Sequence, residues 1–390
     1  RKAPIPARHP PPPRLLLVHE CGPRAPWLRK LAPCAASDGG LPQSKALRYR
    51  RPVARASWSF PKLRVGIFGA GRLGTRHARY IASTGSKITA VCDSDLQTAR
   101  RLADLTACTI ATTSLDEFFD RKLDAVVIAA PPSVRAPAIL AGCQHGTHLF
   151  IEKPSVLNLH DGRRCLAGIE RAGILASVGF QFRYAPVFEE MKKLASGQPI
   201  HLLRSLGTES YYVTFYQPMW KLNKKVSGGI VGEQASHLID LARYLLDDRK
   251  GVSANAMGEK TMAFDHPDCD LENGAQILYE LESKIFGVHT IHCGTVGYAI
   301  EMELIGPHLR VRNFGGHELV GYVDEKPFRR TVPTINSIGT GKVGAWLRAI
   351  KTDDASFIRS SFADSLNTVA ICEAAQRSLA TGKRVPVGRP

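Results

Sequence analysis

A glycine-rich hexapeptide constrains this chain more than any other feature. Gly69-Ala70-Gly71-Arg72-Leu73-Gly74 follows the apolar run Leu63-Arg64-Val65-Gly66-Ile67-Phe68 and opens a stretch of helical character over residues 72–84. In a strand–turn–helix of this kind each glycine has its own task. Gly69 permits the tight turn, Gly71 lets backbone approach a pyrophosphate, and Gly74 lets helix and strand pack closely. The start of the helix offers free N–H groups and a positive dipole end to phosphates. Nineteen residues beyond Gly74, Asp93 closes the next apolar run, where an acid can bind ribose hydroxyls. An acid there repels a 2′-phosphate, so NAD(H) is favoured over NADP(H). Ser94 and the nearby Arg100 and Arg101 leave NADP(H) open. The plainer alternative is a glycine turn without a ligand, but strand, glycines, helix and acid are all in register.

The hexapeptide begins a longer alternation. Short apolar runs at 87–92, 124–129, 147–151 and 175–179 are separated by helical stretches at 95–105, 114–121, 133–145 and 160–172. Strands alternating with helices in this way predict a parallel sheet covered on both faces. After about residue 184 the pattern changes. A helix over 187–195 is followed by alternating or aromatic runs at 201–215, 253–263, 276–281, 284–293, 299–305 and 319–323. These read as a mostly antiparallel sheet, with a helix over 233–246 packed on it and a final helix over 362–380. The expected fold class is therefore α/β: a leader at 1–60, a Rossmann domain at 61–183 and a C-terminal α/β domain at 184–390 for substrate and oligomerisation.

Two segments carry candidate chemistry. Glu152-Lys153-Pro154 follows the run ending at Ile151, and carboxyl ends of parallel strands face the ligand crevice. A lysine there can donate to a reacting oxygen, and its pKa moves readily on desolvation. By itself the tripeptide could equally be ordinary surface. In the second segment, Glu233, His237, Asp240 and Tyr244 share one face if 233–246 is an α-helix. A histidine with carboxylates a turn away on each side is set for proton transfer. An exposed polar face with ordinary ion pairs is the competing description. Trp220, beside Tyr216 and Lys221, could line a substrate pocket or simply pack.

Charge distribution weighs against nucleic acid. The net charge is +17, but residues 1–60 hold 12 Lys and Arg against only Glu20 and Asp38. The remaining 330 residues carry 40 basic and 33 acidic side chains, with no dense basic stripe interleaved with aromatics. A basic pocket for an anionic cofactor accounts for that mild excess. The Pro- and Arg-rich leader reads as disordered, with an organelle transit peptide left open. Nine cysteines without a CxxC pair suit a reducing, cytoplasmic setting. No apolar run reaches bilayer length, so no membrane span is expected. His266, Asp268, Cys269 and Asp270 are a loose set without a second cluster at zinc-like spacing, so no metal is expected.

Taken together, several of these segments resemble the Gfo/Idh/MocA oxidoreductases, the group of glucose–fructose oxidoreductase and inositol dehydrogenases. The matching pieces are Gly69 to Gly74, Ala129-Ala130-Pro131-Pro132-Ser133, Glu152-Lys153-Pro154, Gly179-Phe180-Gln181-Phe182-Arg183-Tyr184-Ala185-Pro186 and the segment 228–240. The resemblance covers about 61–245 in order and excludes the leader. It implies hydride transfer between nicotinamide and a sugar, cyclitol or related polyol or carbonyl compound. Lys153 would bridge the reacting hydroxyl and the nicotinamide region. His237 would be the acid–base group, oriented by the carboxylate of Glu233. Pro131, Pro132, Glu152 and Lys153 would join Gly69, Ala70, Gly71, Arg72, Leu73, Gly74 and Asp93 at the cofactor. Arg183, Trp220 and Asp240 would join Lys153 at the substrate. The resemblance also implies a homodimer or homotetramer formed through the C-terminal sheet. Two departures stand out: Glu233 replaces the family's usual aspartate, and Arg135 stands where a histidine is frequent. Arg135 could touch phosphate, bind an acidic substrate or be a solvated helix residue. The competing function is a non-catalytic NAD(P)-binding regulator or sensor, which needs the glycine loop but not the Lys153–His237 pair.

Overall fold

The computed structural model describes residues 62–209, 219–259, 269–294, 297–333 and 338–390. The leader, Tyr216, His266, Asp268 and the far ends of the runs predicted at 201–215 and 253–263 lie outside these residues.

The first half is a six-stranded parallel sheet. Its strands are β1 (Arg64–Phe68), β2 (Lys87–Cys92), β3 (Ala111–Thr112), β4 (Ala125–Ile128), β5 (His148–Ile151) and β6 (Ala176–Val178). Their order across the sheet is β3-β2-β1-β4-β5-β6, the doubly wound arrangement in which ligands meet the carboxyl ends of the strands. The central strands are apolar on both faces because both are covered: Val65, Ile67, Val126, Val127 and Phe150 are fully buried. The intervening helices are α1 (Arg72–Ser83), α2 (Leu96–Leu105), α3 (Leu115–Phe119), α4 (Arg135–Gln144) and α5 (Leu159–Ala172). Local signals set their ends. The Asp95 carboxylate accepts from the amides of Gln97 and Thr98 to start α2, and Asn158 accepts from Asp161 to start α5. Gly173, left-handed at φ 63°, closes α5.

The second half begins with α6 (Pro186–Ala195) and β7 (Leu202–Glu209). The short α7 (Lys224–Ser227) leads into a π-helical turn, Val231–Ala235, and then α8 (Ser236–Leu245). Strands β8 (Gly251–Glu259), β9 (Gly274–Leu281), β10 (Ile285–Cys293), β11 (Ala299–Ile305), β12 (Leu309–Phe314), β13 (Glu318–Val323) and β14 (Lys326–Thr331) follow. Then come α9 (Ile338–Thr352), α10 (Phe362–Thr381) and the two-residue β15 (Val385–Pro386). The sheet order is β14-β13-β12-β11-β7-β10-β9-β8-β15. All pairings are antiparallel except β7 with β10. One face packs against α6, α8 and α10 in a large apolar core.

Three features differ from the sequence expectation. Strands β12 and β14 were not anticipated, because Arg310, Arg312, Arg329 and Arg330 break the apolar alternation that marks a strand. Helix α9 was not anticipated either: Gly339, Gly341 and Gly344 dilute its helical signal. The boundary at 183/184 separates the two sheets but not the two cores. Trp346, Val343 and Leu347 of α9 complete the core around β1, and Phe362, Leu366 and Val369 of α10 complete the core on the other face.

Candidate active site

The glycine loop has the geometry its sequence demands. Gly69 sits at φ +94°, and a Cβ there would meet the Ala130 amide nitrogen at 2.4 Å. A Cβ on Gly74 would meet the Gly69 carbonyl oxygen at 1.8 Å. Gly71 is different, because a Cβ there meets nothing within 4 Å. It is the N-cap of α1, with no side chain bonded to the first amides of the helix. The loop therefore presents an open, donor-rich cradle at a helix start, which suits a dinucleotide diphosphate. Asp93, at the end of β2, steadies the cradle from below. Its Oδ2 accepts from the Ala70 amide at 2.7 Å and its Oδ1 from the Asp95 amide at 3.0 Å.

Beside this loop lies a cavity of about 220 Å³. One wall is α1, through Arg72, Leu73, Arg76 and His77. Glu152 and Lys153 enter from the end of β5, and Glu233 and His237 from the π turn and α8. The predicted Lys153 thus meets Glu233 and His237 at one place, although it lies 80 or more residues from them in sequence. The Lys153–Pro154 peptide that follows β5 is cis.

Charge in the cavity is tightly partnered. Lys153 Nζ donates to the Glu233 carbonyl oxygen at 2.6 Å and lies 3.3 Å from its Oε2. Lys221 Nζ holds the other carboxylate oxygen, Oε1, at 2.6 Å. Burial pushes Glu233 toward the neutral form, but the two ammoniums outweigh it and hold the carboxyl below its usual range. Burial lowers the Lys153 pKa, with Glu233 opposing and Lys221 reinforcing the shift. Across the cavity, Glu152 Oε1 lies 2.7 Å from His77 Nε2 and accepts from Lys342 Nζ at 2.6 Å. Lys342 also donates to the Gly179 carbonyl at 3.0 Å. Burial would raise the Glu152 pKa, but Lys342 and the His77 hydrogen bond keep it well below the usual value.

His237 is held neutral. Desolvation drives its pKa well below 6.5, and the Lys153 and Lys342 cations drive it further. The rings of Phe182 and Phe180, with centroids at 5.3 and 6.3 Å, fix the imidazole. Its Nδ1 is buried without a hydrogen-bond partner, leaving Nε2 as the nitrogen that reaches the cavity.

Several predicted roles need correction. Glu233 does not orient His237: it sits in a π turn, where the i,i+4 relation of an α-helix fails, and its carboxylate is spent on two lysines. Arg183 and Asp240 do not line the cavity. Each is 1% exposed, and they form a bidentate pair at 2.7 Å in both arms, joined by Asp364. Trp220 is half-buried and outside the cavity; its neighbour Lys221 reaches in instead. Pro131 and Pro132, expected at the cofactor, follow the carboxyl end of β4, where Pro132 opens the 3-10 turn Pro132–Val134. Arg135 touches neither solvent nor the cavity. It donates to the carbonyls of Ala130, Glu152 and Pro154, clamping the ends of β4 and β5, and burial lowers its pKa to about 10. Lys342 and His77 carried no sequence signal, since neither lies at a spacing that links it to Glu152.

The cysteines described (Cys92, Cys108, Cys143, Cys165, Cys269, Cys293 and Cys372) are free thiols. Among the described residues no helix is long and apolar enough to cross a membrane.

The chain is similar to known proteins in both halves. The family profile described as "Oxidoreductase family, NAD-binding Rossmann fold" matches residues 63–180, and "GFO/IDH/MocA C-terminal domain" matches residues 195–312. Inositol 2-dehydrogenase 3 of Saccharopolyspora erythraea is 28% identical over 356 residues, covering 83% of this chain and 95% of that protein. The scyllo-inositol 2-dehydrogenase (NAD(+)) of Bacillus subtilis is 28% identical over 191 residues, 47% of this chain and 54% of its own. The crystal structure of GenD2 from gentamicin A biosynthesis in complex with NAD superposes with a TM-score of 0.72 at 23% identity, covering 86% of this chain and 99% of that one.

Proposed function

The chain belongs to the GFO/IDH/MocA oxidoreductases, with their NAD-binding Rossmann fold, and from that premise we propose that it interconverts an alcohol and a carbonyl on a sugar, cyclitol or related polyol, with Lys153 and His237 as the catalytic residues. The observation that carries this reading is that both side chains enter one cavity walled by the cofactor-binding helix α1. When bound, the nicotinamide supplies the hydride acceptor or donor.

The chain's own residues supply the rest. Two of the three Lys153 protons are directed at Glu233, and the third is free for a substrate oxygen. Donation there draws negative charge from the hydroxyl as its proton leaves. His237, uncharged and facing the cavity, accepts that proton in oxidation and returns it in reduction. Glu233 positions Lys153, and Lys221 keeps Glu233 ionised. Asp93 supports NAD(H) over NADP(H), since its carboxylate stands at the end of β2 where a 2′-phosphate would be repelled. The outer face of the nine-stranded sheet exposes Leu202, Leu278 and Phe286, which supports association into homodimers or homotetramers through that face.

A panel of polyols, sugars and ketones, read by absorbance of the reduced nicotinamide with both cofactor forms, tests the proposal. Turnover that disappears in Lys153→Ala is the expected result. Saturable NAD(H) binding with no turnover across the panel would overturn it in favour of a sensor.

A further inference from the structure

A carboxylate in an enclosed cavity acts differently on the two forms of a nicotinamide. The oxidised ring carries a positive charge and the reduced ring carries none, so a lone negative group beside it favours the oxidised form. Glu152 is a group of that kind. It follows β5, precedes Lys153, and its side chain is 3% exposed. Desolvation would push it toward the neutral form; Lys342 keeps it ionised, helped by the His77 hydrogen bond. The carbon that exchanges hydride must stand beside Lys153 and His237. The ring therefore shares the space that Glu152 lines together with those two residues and α1.

We propose that Lys342 is a positioning residue that sets the redox preference of the site: by neutralising Glu152 it removes a bias toward oxidised nicotinamide that the carboxylate would otherwise impose. This rests on the oxidoreductase reading above and deepens it. Lys342 belongs to α9, 190 residues beyond Glu152. Its ammonium donates to Glu152 Oε1 at 2.6 Å and to the Gly179 carbonyl at 3.0 Å, and it lies 5.5 Å from the centre of the Phe150 ring. The pair has room because residue 179 carries no side chain: a Cβ there would meet Lys342 Nζ at 2.9 Å and Glu152 Oε2 at 3.0 Å. Among the described residues Glu152 is the only carboxylate that Lys342 touches. A lysine that merely stapled α9 to the first sheet could end on the Gly179 carbonyl. Ending on the carboxylate as well cancels a full charge inside the cavity.

The test uses the full chain and calorimetric titration of oxidised NAD and of NADH, each variant compared with the wild type at the same pH. Lys342→Met is read at about pH 9, where carboxyls and imidazoles are ordinarily deprotonated, and Glu152→Gln at about pH 7, where a stranded ammonium keeps its proton more readily. The ratio of the Kd for oxidised NAD to the Kd for NADH is expected to fall about tenfold in Lys342→Met and to rise about tenfold in Glu152→Gln, as a unit charge several ångströms away in a partly buried site would give. Lys342→Arg should keep the wild-type ratio, and combining Lys342→Met with Glu152→Gln should restore it. A lysine that served only to pack α9 would weaken both nucleotides alike. An unmoved ratio in the single variants, or shifts of the same sign in both, overturns the proposal. Should Lys342→Met fail to fold, the rise in Glu152→Gln decides the matter. Failure of the wild type to bind either nucleotide would sink the oxidoreductase reading together with this one; polyol turnover with a ratio indifferent to both substitutions would sink this one alone.

Discussion

Placing one methyl group on Gly71 separates folding from cofactor binding. The residue has an extended backbone, φ −65° and ψ −165°, that alanine adopts without strain, and its Cβ would meet nothing within 4 Å. Gly71→Ala is therefore expected to fold with wild-type stability. With NAD present the methyl occupies the approach of the diphosphate to the backbone. Forcing a methyl into a close-packed contact costs roughly 1–3 kcal/mol, which corresponds to a rise in Kd of roughly 5- to 150-fold. Gly74→Ala is the contrast. Its Cβ would meet the Gly69 carbonyl at 1.8 Å, so the damage falls on the fold itself and costs about 3 kcal/mol or more. Thermal melts without ligand, paired with calorimetric titration of NAD, read the two effects independently. A Gly71→Ala protein that binds NAD as tightly as the wild type would refute the placement of the diphosphate at this loop.

Other expectations concern single side chains. Lys153→Ala should lower kcat by about 10²- to 10⁴-fold while leaving NAD affinity nearly intact; steady-state rates with calorimetry check both, and unchanged turnover denies Lys153 its role. His237 has a folded-state pKa depressed well below 6.5, so its neutral, proton-accepting form persists as pH falls through that value. The acid limb of kcat/KM for oxidation should accordingly lie below pH 6.5, and a limb at or above it would contradict the assignment. Asp240→Ala leaves Arg183 buried with half its partners gone and should cost about 3–5 kcal/mol in denaturant unfolding, with NAD affinity of the folded protein unchanged; an altered affinity would return the pair to the binding site. Asp93→Ser removes both the brace on Ala70 and the repulsion of a 2′-phosphate, and should raise the NADP-to-NAD preference about tenfold or more, measured as a ratio of kcat/KM.

What the sequence disclosed depended on range. The glycine loop, Asp93 and the strand–helix alternation were legible because their physics is local: each glycine answers to a neighbour a few residues away or to the next strand. Lys153 and His237 were legible through motifs at strand and helix ends. Lys221 and Lys342 were not, because their importance comes from Glu233 and Glu152, 12 and 190 residues away. Helical periodicity actively misled at residues 233–240. It assumed 3.6 residues per turn where the chain inserts a π turn, and so paired Glu233 with His237 rather than with two lysines. Arg183 and Asp240 were misjudged because a buried pair and a substrate-facing pair use the same residue types; burial alone tells them apart.

The wrapping of α9 and α10 back onto the first sheet has a consequence for biosynthesis. The socket around Phe150 and Val65 is closed by Trp346, and the opposite side by Phe362 and Leu366. The first sheet thus waits, with apolar surface uncovered, until the ribosome has delivered two helices that lie far beyond its last strand. A nonsense codon anywhere before α9 would spoil the nucleotide-binding half as thoroughly as the sheet it truncates.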